Sequence, residues 1–142
     1  MSEPDMDLAS GIAAFEAKEF RRALQLLTPL AEDGDSDAQF RPAIMCQNGL
    51  GMVTNEARAL HWMQASARQD HGLALHGLGV MYLYGECVDK DESEALKYFR
   101  RAADQGLAGS LTTLAMMYEE GMGVEKDPLR AQALYRQAGF DT

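Results

Sequence analysis

Apolar residues return at helical steps twice within every 36 residues of this chain. Ala74, Leu78, Met81, Tyr82 and Gly85 trace one stripe, and Ala95, Tyr98, Phe99, Ala102 and Ala103 trace a second; spacings of three and four put each set on one face of an α-helix. Between the stripes the character changes to helix punctuation. Gly85 suits the left-handed conformation that ends a helix, Asp91 stands where the next helix needs a cap, and Glu94 lies at capping-box distance from it. The whole pattern then recurs. Met81, Tyr82, Gly85, Val88, Lys90, Asp91 and Ala95 come back 36 residues later as Met117, Tyr118, Gly121, Val124, Lys126, Asp127 and Ala131. In the other direction, Tyr82, Gly85, Ala95 and Phe99 correspond to Cys46, Gly49, Ala59 and Met63.

A period of this length is the mark of a solenoid, and its phase predicts an all-α chain of four helix-turn-helix repeats in an α/α superhelix. The repeats fall at about 5–36, 37–72, 73–108 and 109–142, forming one solenoid domain over 1–142. Ala23, Ala59, Ala95 and Ala131 mark the close approach of each second helix to its partner. Leu26, Trp62, Tyr98 and Leu134, then Leu27, Met63, Phe99 and Tyr135, supply one core layer per repeat. Asp127 followed by Pro128 reads as a cap and a first helical position. Four residues depart from the pattern, one of them Cys46, which replaces the tyrosine found as Tyr82 and Tyr118. Pro42 disfavours helix at Arg41 and predicts that the first helix of repeat 2 starts late or kinks, and Pro29 predicts a kink in the second helix of repeat 1. Cys87 replaces the glycine found as Gly51 and Gly123, which argues against a left-handed backbone at that point.

The string LGVMYLYGECVDKDESEALKYFRRAADQG, Leu78 to Gly106, resembles a Sel-1-like repeat, the longer-looped relative of the tetratricopeptide repeat. The likeness is strong there and in Leu111 to Gly139, and weaker in Ala38 to Asp70. Repeat 1 is more similar to a tetratricopeptide unit, carried by Gly11, Phe20, Ala23 and Leu27 with a turn shortened to Lys18 and Glu19. The resemblance implies a right-handed solenoid that works as a protein-binding adaptor or scaffold and not as an enzyme.

Composition narrows the partners. Of the formal charge of −9, residues 1–37 hold nine acids against three bases. An acidic chain argues against nucleic acid and against anionic membranes. No apolar run approaches the roughly 18 residues of a membrane span. The acidic start, MSEPDMDLAS, is unlike a signal peptide. A cytoplasmic protein with Cys46 and Cys87 as thiols is the expectation.

Candidate chemistry is sparse. Some secreted relatives are linked with β-lactam binding, but no serine here has a lysine three residues on. His61, His71, His76 and Cys87 lack the spacing that puts two metal ligands on one helical face. Glu86, Asp89 and Asp91 surround Cys87 with negative charge that disfavours a thiolate, and a catalytic role for Glu119 and Glu120 needs a second element that is not identified. The expectation is therefore no catalytic residue, no cofactor and no metal.

The tetratricopeptide-like register implies that the first helices line a concave face through Phe40, Ile44, His76, Val80, Leu83, Tyr84, Met116, Glu119 and Glu120. That set describes an apolar groove with an acidic end, suited to an amphipathic helix or an extended segment carrying a base. The alternatives are a small-ligand-binding protein or hydrolase using the same groove, and a structural module that binds its own copy. For the last, Leu134, Tyr135 and Phe140 are the expected contact of a homodimer through the carboxy-terminal repeat, with Phe140 folding back over its own repeat as the competing arrangement.

Overall fold

The computed structural model describes residues 3–140, and every regular element among them is an α-helix. The order is α1 (Glu3–Glu16), α2 (Phe20–Glu32), α3 (Ser36–Asn48), α4 (Glu56–Arg68), α5 (Gly72–Tyr84), α6 (Glu92–Asp104), α7 (Ala108–Glu120) and α8 (Pro128–Gln137). They form four helix pairs.

The long loops inside the later pairs are built alike. Gly49, Gly85 and Gly121 follow α3, α5 and α7 with φ of 66°, 71° and 73°. Six residues beyond each of these, Asn55, Asp91 and Asp127 cap α4, α6 and α8, their side chains accepting from the backbone N–H of Arg58, Glu94 and Arg130 at 3.1, 3.1 and 3.0 Å. The backbone N–H of each capping residue donates back across the loop, to the carbonyls of Cys46, Tyr82 and Tyr118 at 2.8, 2.8 and 2.9 Å. This closure corrects one expectation. A capping box at Asp91 would need that same N–H, and the Glu94 carboxylate accepts instead from Lys97 at 3.0 Å.

Cys87 corrects another. Its φ is 66°, beside 70° at both Gly51 and Gly123, so the left-handed turn survives the loss of glycine. The loop is tied on both sides of Cys87, by Glu86 N–H to Met81 O at 2.9 Å and Asp91 N–H to Tyr82 O. That closure holds a non-glycine residue where it costs about 1–2 kcal/mol.

Pro42 does not delay α3. The helix starts at Ser36, where the Asp35 carboxylate accepts from Ala38 N–H at 3.0 Å and the Ser36 carbonyl accepts from the Ser66 hydroxyl at 2.8 Å. Ala38, Gln39, Pro42, Ala43, Met45 and Cys46 are all buried. Packing and anchoring at both ends outweigh the loss of one intrahelical bond. α2 runs on past Pro29 to Glu32.

The core confirms the small-against-large logic. Ala23, Ala59, Ala95 and Ala131 are buried, as are Leu27, Met63 and Phe99. On the first helices the facing positions are also small. A Cβ at Gly11 would stand 2.6 Å from Leu27 Cδ2, and one at Gly79 would stand 2.9 Å from Phe99 Cζ.

The chain falls into two compact units that divide between Ala74 and Leu75, within α5. In the first, α1 packs on α2 and also reaches α3, α2 packs on α3, and α3 on α4. A polar clasp joins the ends of α2 and α4 to α3: Gln39 Nε2 donates to Ala31 O at 3.1 Å, and Gln69 Nε2 lies 2.8 Å from Gly34 O and 3.0 Å from Gln39 Oε1. In the second, α6 packs on α7 and α7 on α8, around Leu83, Leu96, Phe99, Leu111, Leu114, Met117 and Tyr118.

Candidate functional site

The residues expected on the binding face divide between the two units. In the first, Phe40 and Ile44 lie one turn apart on α3 and are half-buried. Phe40 is already engaged. Its ring stacks on His71 at 5.1 Å, and the Arg41 guanidinium lies 5.8 Å from the ring centroid. His71 in turn meets the Asp37 carboxylate at 2.7 Å through Nε2 and accepts from Ala74 N–H through Nδ1 at 3.3 Å.

In the second unit, His76, Val80 and Tyr84 follow one another at four-residue steps along α5, and Met116 and Glu120 do so along α7. Tyr84 is 63% exposed. Val80 and Met116 are half-buried against the core, and Glu120 is exposed. Tyr84 and Glu120 hold the same position in successive repeats, as do Val80 and Met116.

Two expected members leave this face. Leu83 is 1% exposed and belongs to the core of the second unit. Glu119, its counterpart one repeat on, turns to α8, where its carboxylate accepts from the Tyr135 hydroxyl at 3.4 Å. The reason is geometric. A first helix packs against its own partner and also against a neighbouring pair, so two flanks are covered and the residues at four-residue steps between them stay outward. Burial and then the Glu119 carboxylate raise the Tyr135 pKa above the ordinary phenol value.

The expected self-association patch is partly covered within the chain. Leu134 and Tyr135 pack against the core of the second unit. Phe140 meets Tyr135 edge-on at 6.2 Å, its N–H donates to Tyr135 O at 2.9 Å, and its side chain remains 54% exposed. The most exposed large apolar residue nearby is Leu129, at 79%. It borders a recess of about 380 Å³ with Pro128, Tyr135 and Glu119.

A serine–histidine contact that the spacing of residues did not foretell joins α5 to α7. His76 Nδ1 and Ser110 Oγ share a hydrogen bond of 2.7 Å, and the imidazole meets Phe99 edge-on at 5.2 Å. Ser110 is 0% exposed, so no substrate carbonyl can reach its hydroxyl. Burial lowers the His76 pKa and favours the neutral ring. At Cys46, burial raises the thiol pKa against the opposing pull of Arg58, which leaves a buried thiol inert. Among the described residues no three His, Cys, Asp or Glu side chains come together to hold a metal, and no helix is long and apolar enough to cross a membrane.

Three successive stretches, residues 36–71, 72–107 and 110–139, match the Sel1 repeat. The chain belongs to the Sel1 repeat family. Solved structures agree with that assignment. The chain is similar to c5321, a protective antigen present in uropathogenic Escherichia coli strains and displaying an SLR fold, at 31% identity and a TM-score of 0.89, over 96% of this chain and 30% of that one. A Sel1 repeat protein from Oxalobacter formigenes is 29% identical with a TM-score of 0.86, over 92% of this chain and 54% of that one. Cysteine rich protein B from Helicobacter pylori, at 18% identity and a TM-score of 0.66, shares the fold over 84% of this chain and 86% of its own. The Sel1 chain thus spans about a third to a half of the length of the first two relatives. No curated protein matches it. The eight helices of the described residues are therefore those of an α/α Sel1 solenoid. Sel1 repeats generally mediate contacts between proteins and are typically without catalytic activity.

Proposed function

We propose that this Sel1 chain is a non-catalytic adaptor that holds a basic, amphipathic segment of a partner protein along α5 and α7. The observation that carries the reading is Tyr84, a large aromatic 63% exposed at the end of α5, in the repeat position that Glu120 occupies on α7. Val80 and Met116 present partial apolar surface one turn earlier on each helix. Aromatic and methionine side chains are the residue types that anchor interfaces and repack around a partner, and Glu120 offers an acid for a lysine or arginine on the incoming segment. Cys46 and Cys87 fit work in a reducing compartment, which is where we place the protein.

Fluorescence anisotropy of a labelled helical peptide with a leucine face and a lysine face tests the reading on the whole chain. Tyr84→Ala combined with Glu120→Lys is expected to weaken binding about tenfold or more, with the helical circular dichroism and melting temperature of the free protein nearly unchanged. Equal affinity for the variant would move the binding surface elsewhere.

A second reading, self-association through the carboxy-terminal helix pair, is favoured by one observation, the exposure of Leu129 beside the apolar recess on α8. It is compatible with the first because the two surfaces use different residues.

A further inference from the structure

We propose that a basic recess on the first unit takes an acidic segment of a protein partner. The recess holds about 490 Å³ and is walled by Lys18, Glu19, Phe20, Arg21, Arg22 and Gly51. It lies at the turn between α1 and α2, against the loop that leads from α3 to α4. Lys18, Arg21 and Arg22 are the three bases of residues 1–37, a stretch with nine acids. They gather here and stay exposed, and none of them forms an ion pair among the described residues.

The repeat does not require this arrangement. Where α2 opens with Phe20-Arg21-Arg22, α4 opens with Glu56-Ala57-Arg58, α6 with Glu92-Ser93-Glu94 and α8 with Pro128-Leu129-Arg130. Two adjacent cations in the first turn of a helix oppose its dipole, so the basic pair works against the local fold. Phe20 gives the recess an apolar wall, held edge-on by Phe15 at 5.7 Å. Gly51 seats its backbone directly on that wall, because a Cβ there would stand 2.6 Å from Phe20 Cβ.

Charge complementarity selects the occupant. Guanidinium groups bind carboxylates in a planar, two-bond geometry, and the Phe20 wall favours a leucine or phenylalanine beside those carboxylates. The chain's formal charge of −9 repels acidic molecules at long range, so attraction is confined to segments that enter this recess. This surface is independent of the one on α5 and α7 and has the opposite preference.

The test is anisotropy of a labelled peptide carrying several aspartates and glutamates around one leucine and one phenylalanine, with an asparagine–glutamine counterpart and an oligonucleotide as competing probes. The full chain is expected to bind the acidic peptide, to lose about tenfold or more in affinity on Arg21→Glu with Arg22→Glu, and to weaken as salt rises. Lys18→Glu, outside the helix, gives the same direction should the double variant fail to fold. Absence of binding, equal binding of the amide peptide, or undiminished binding by both charge-reversed variants overturns the proposal. Tighter binding of the oligonucleotide overturns it in favour of nucleic acid.

Discussion

Which residues must be small is decided here by what stands opposite. The alanine column of the second helices was legible because all four members repeat at one spacing, and each is buried. Gly79 was less transparent. Glycine is a poor helix former, yet Phe99 leaves no room for even a methyl, with its ring 2.9 Å from where a Cβ would lie. Gly79→Ala is therefore expected to lower stability by about 1–3 kcal/mol through overpacking, despite the gain in helix propensity. Adding Phe99→Leu should restore part of the loss, and chemical denaturation of the single and double variants measures the coupling. If Gly79→Ala is neutral alone, the Phe99 ring is not the constraint. Leu83 shows the limit of reading one position at a time: the register placed it outward, while packing from a neighbouring pair buried it to 1%.

Glycine stops and Asn or Asp starts were legible because their signals are local, whereas Pro42, Cys87 and the Asp91–Glu94 spacing are local signals that tertiary ties overrode. The three long loops share a left-handed glycine, a capping Asn or Asp, and a return bond from the cap's N–H. The glycine and the cap are visible in the sequence, whereas the return bond is not, and it is what displaces the capping box at Asp91. Asp91→Ala should cost about 0.5–2 kcal/mol and Asp91→Asn much less; equal losses would mean that the side-chain cap is not the source. Long-range polar ties were not legible at all, since residues such as His76 and Ser110 stand 34 apart with no pattern linking them. The His76 tie carries a pH dependence. Burial holds its folded pKa below the unfolded value, so the unfolded chain takes up the proton first as pH falls. Stability is thus full above about pH 6.5 and declines below it until the depressed folded value is passed. His76→Asn is expected to flatten the fall in melting temperature between about pH 7 and pH 5. An identical slope in both proteins would assign that fall to other groups.

Taken together, the repeats make a chain whose fold followed from periodicity while its surfaces depended on which positions are left uncovered. The carboxy-terminal pair illustrates the difference. Leu134 and Tyr135, expected as a contact between copies, are half-buried against the core of the second unit, with Phe140 laid edge-on against Tyr135. What stays open is Leu129, at 79% exposure, beside a recess of about 380 Å³ whose walls include Pro128 and Tyr135. A two-fold contact would place each Leu129 against the other copy's recess, burying both in a closed pair that cannot propagate into a fibre. Light scattering on a size-exclusion column is then expected to show a dimer that gains population from micromolar to several hundred micromolar protein. Leu129→Asp should return it to monomer without loss of helix, because the side chain contributes little to its own fold at that exposure. Phe140→Asp should weaken the dimer less, its ring being partly engaged with Tyr135 already. A monomer throughout that range would refute self-association, and a dimer insensitive to Leu129→Asp would place the contact on another surface.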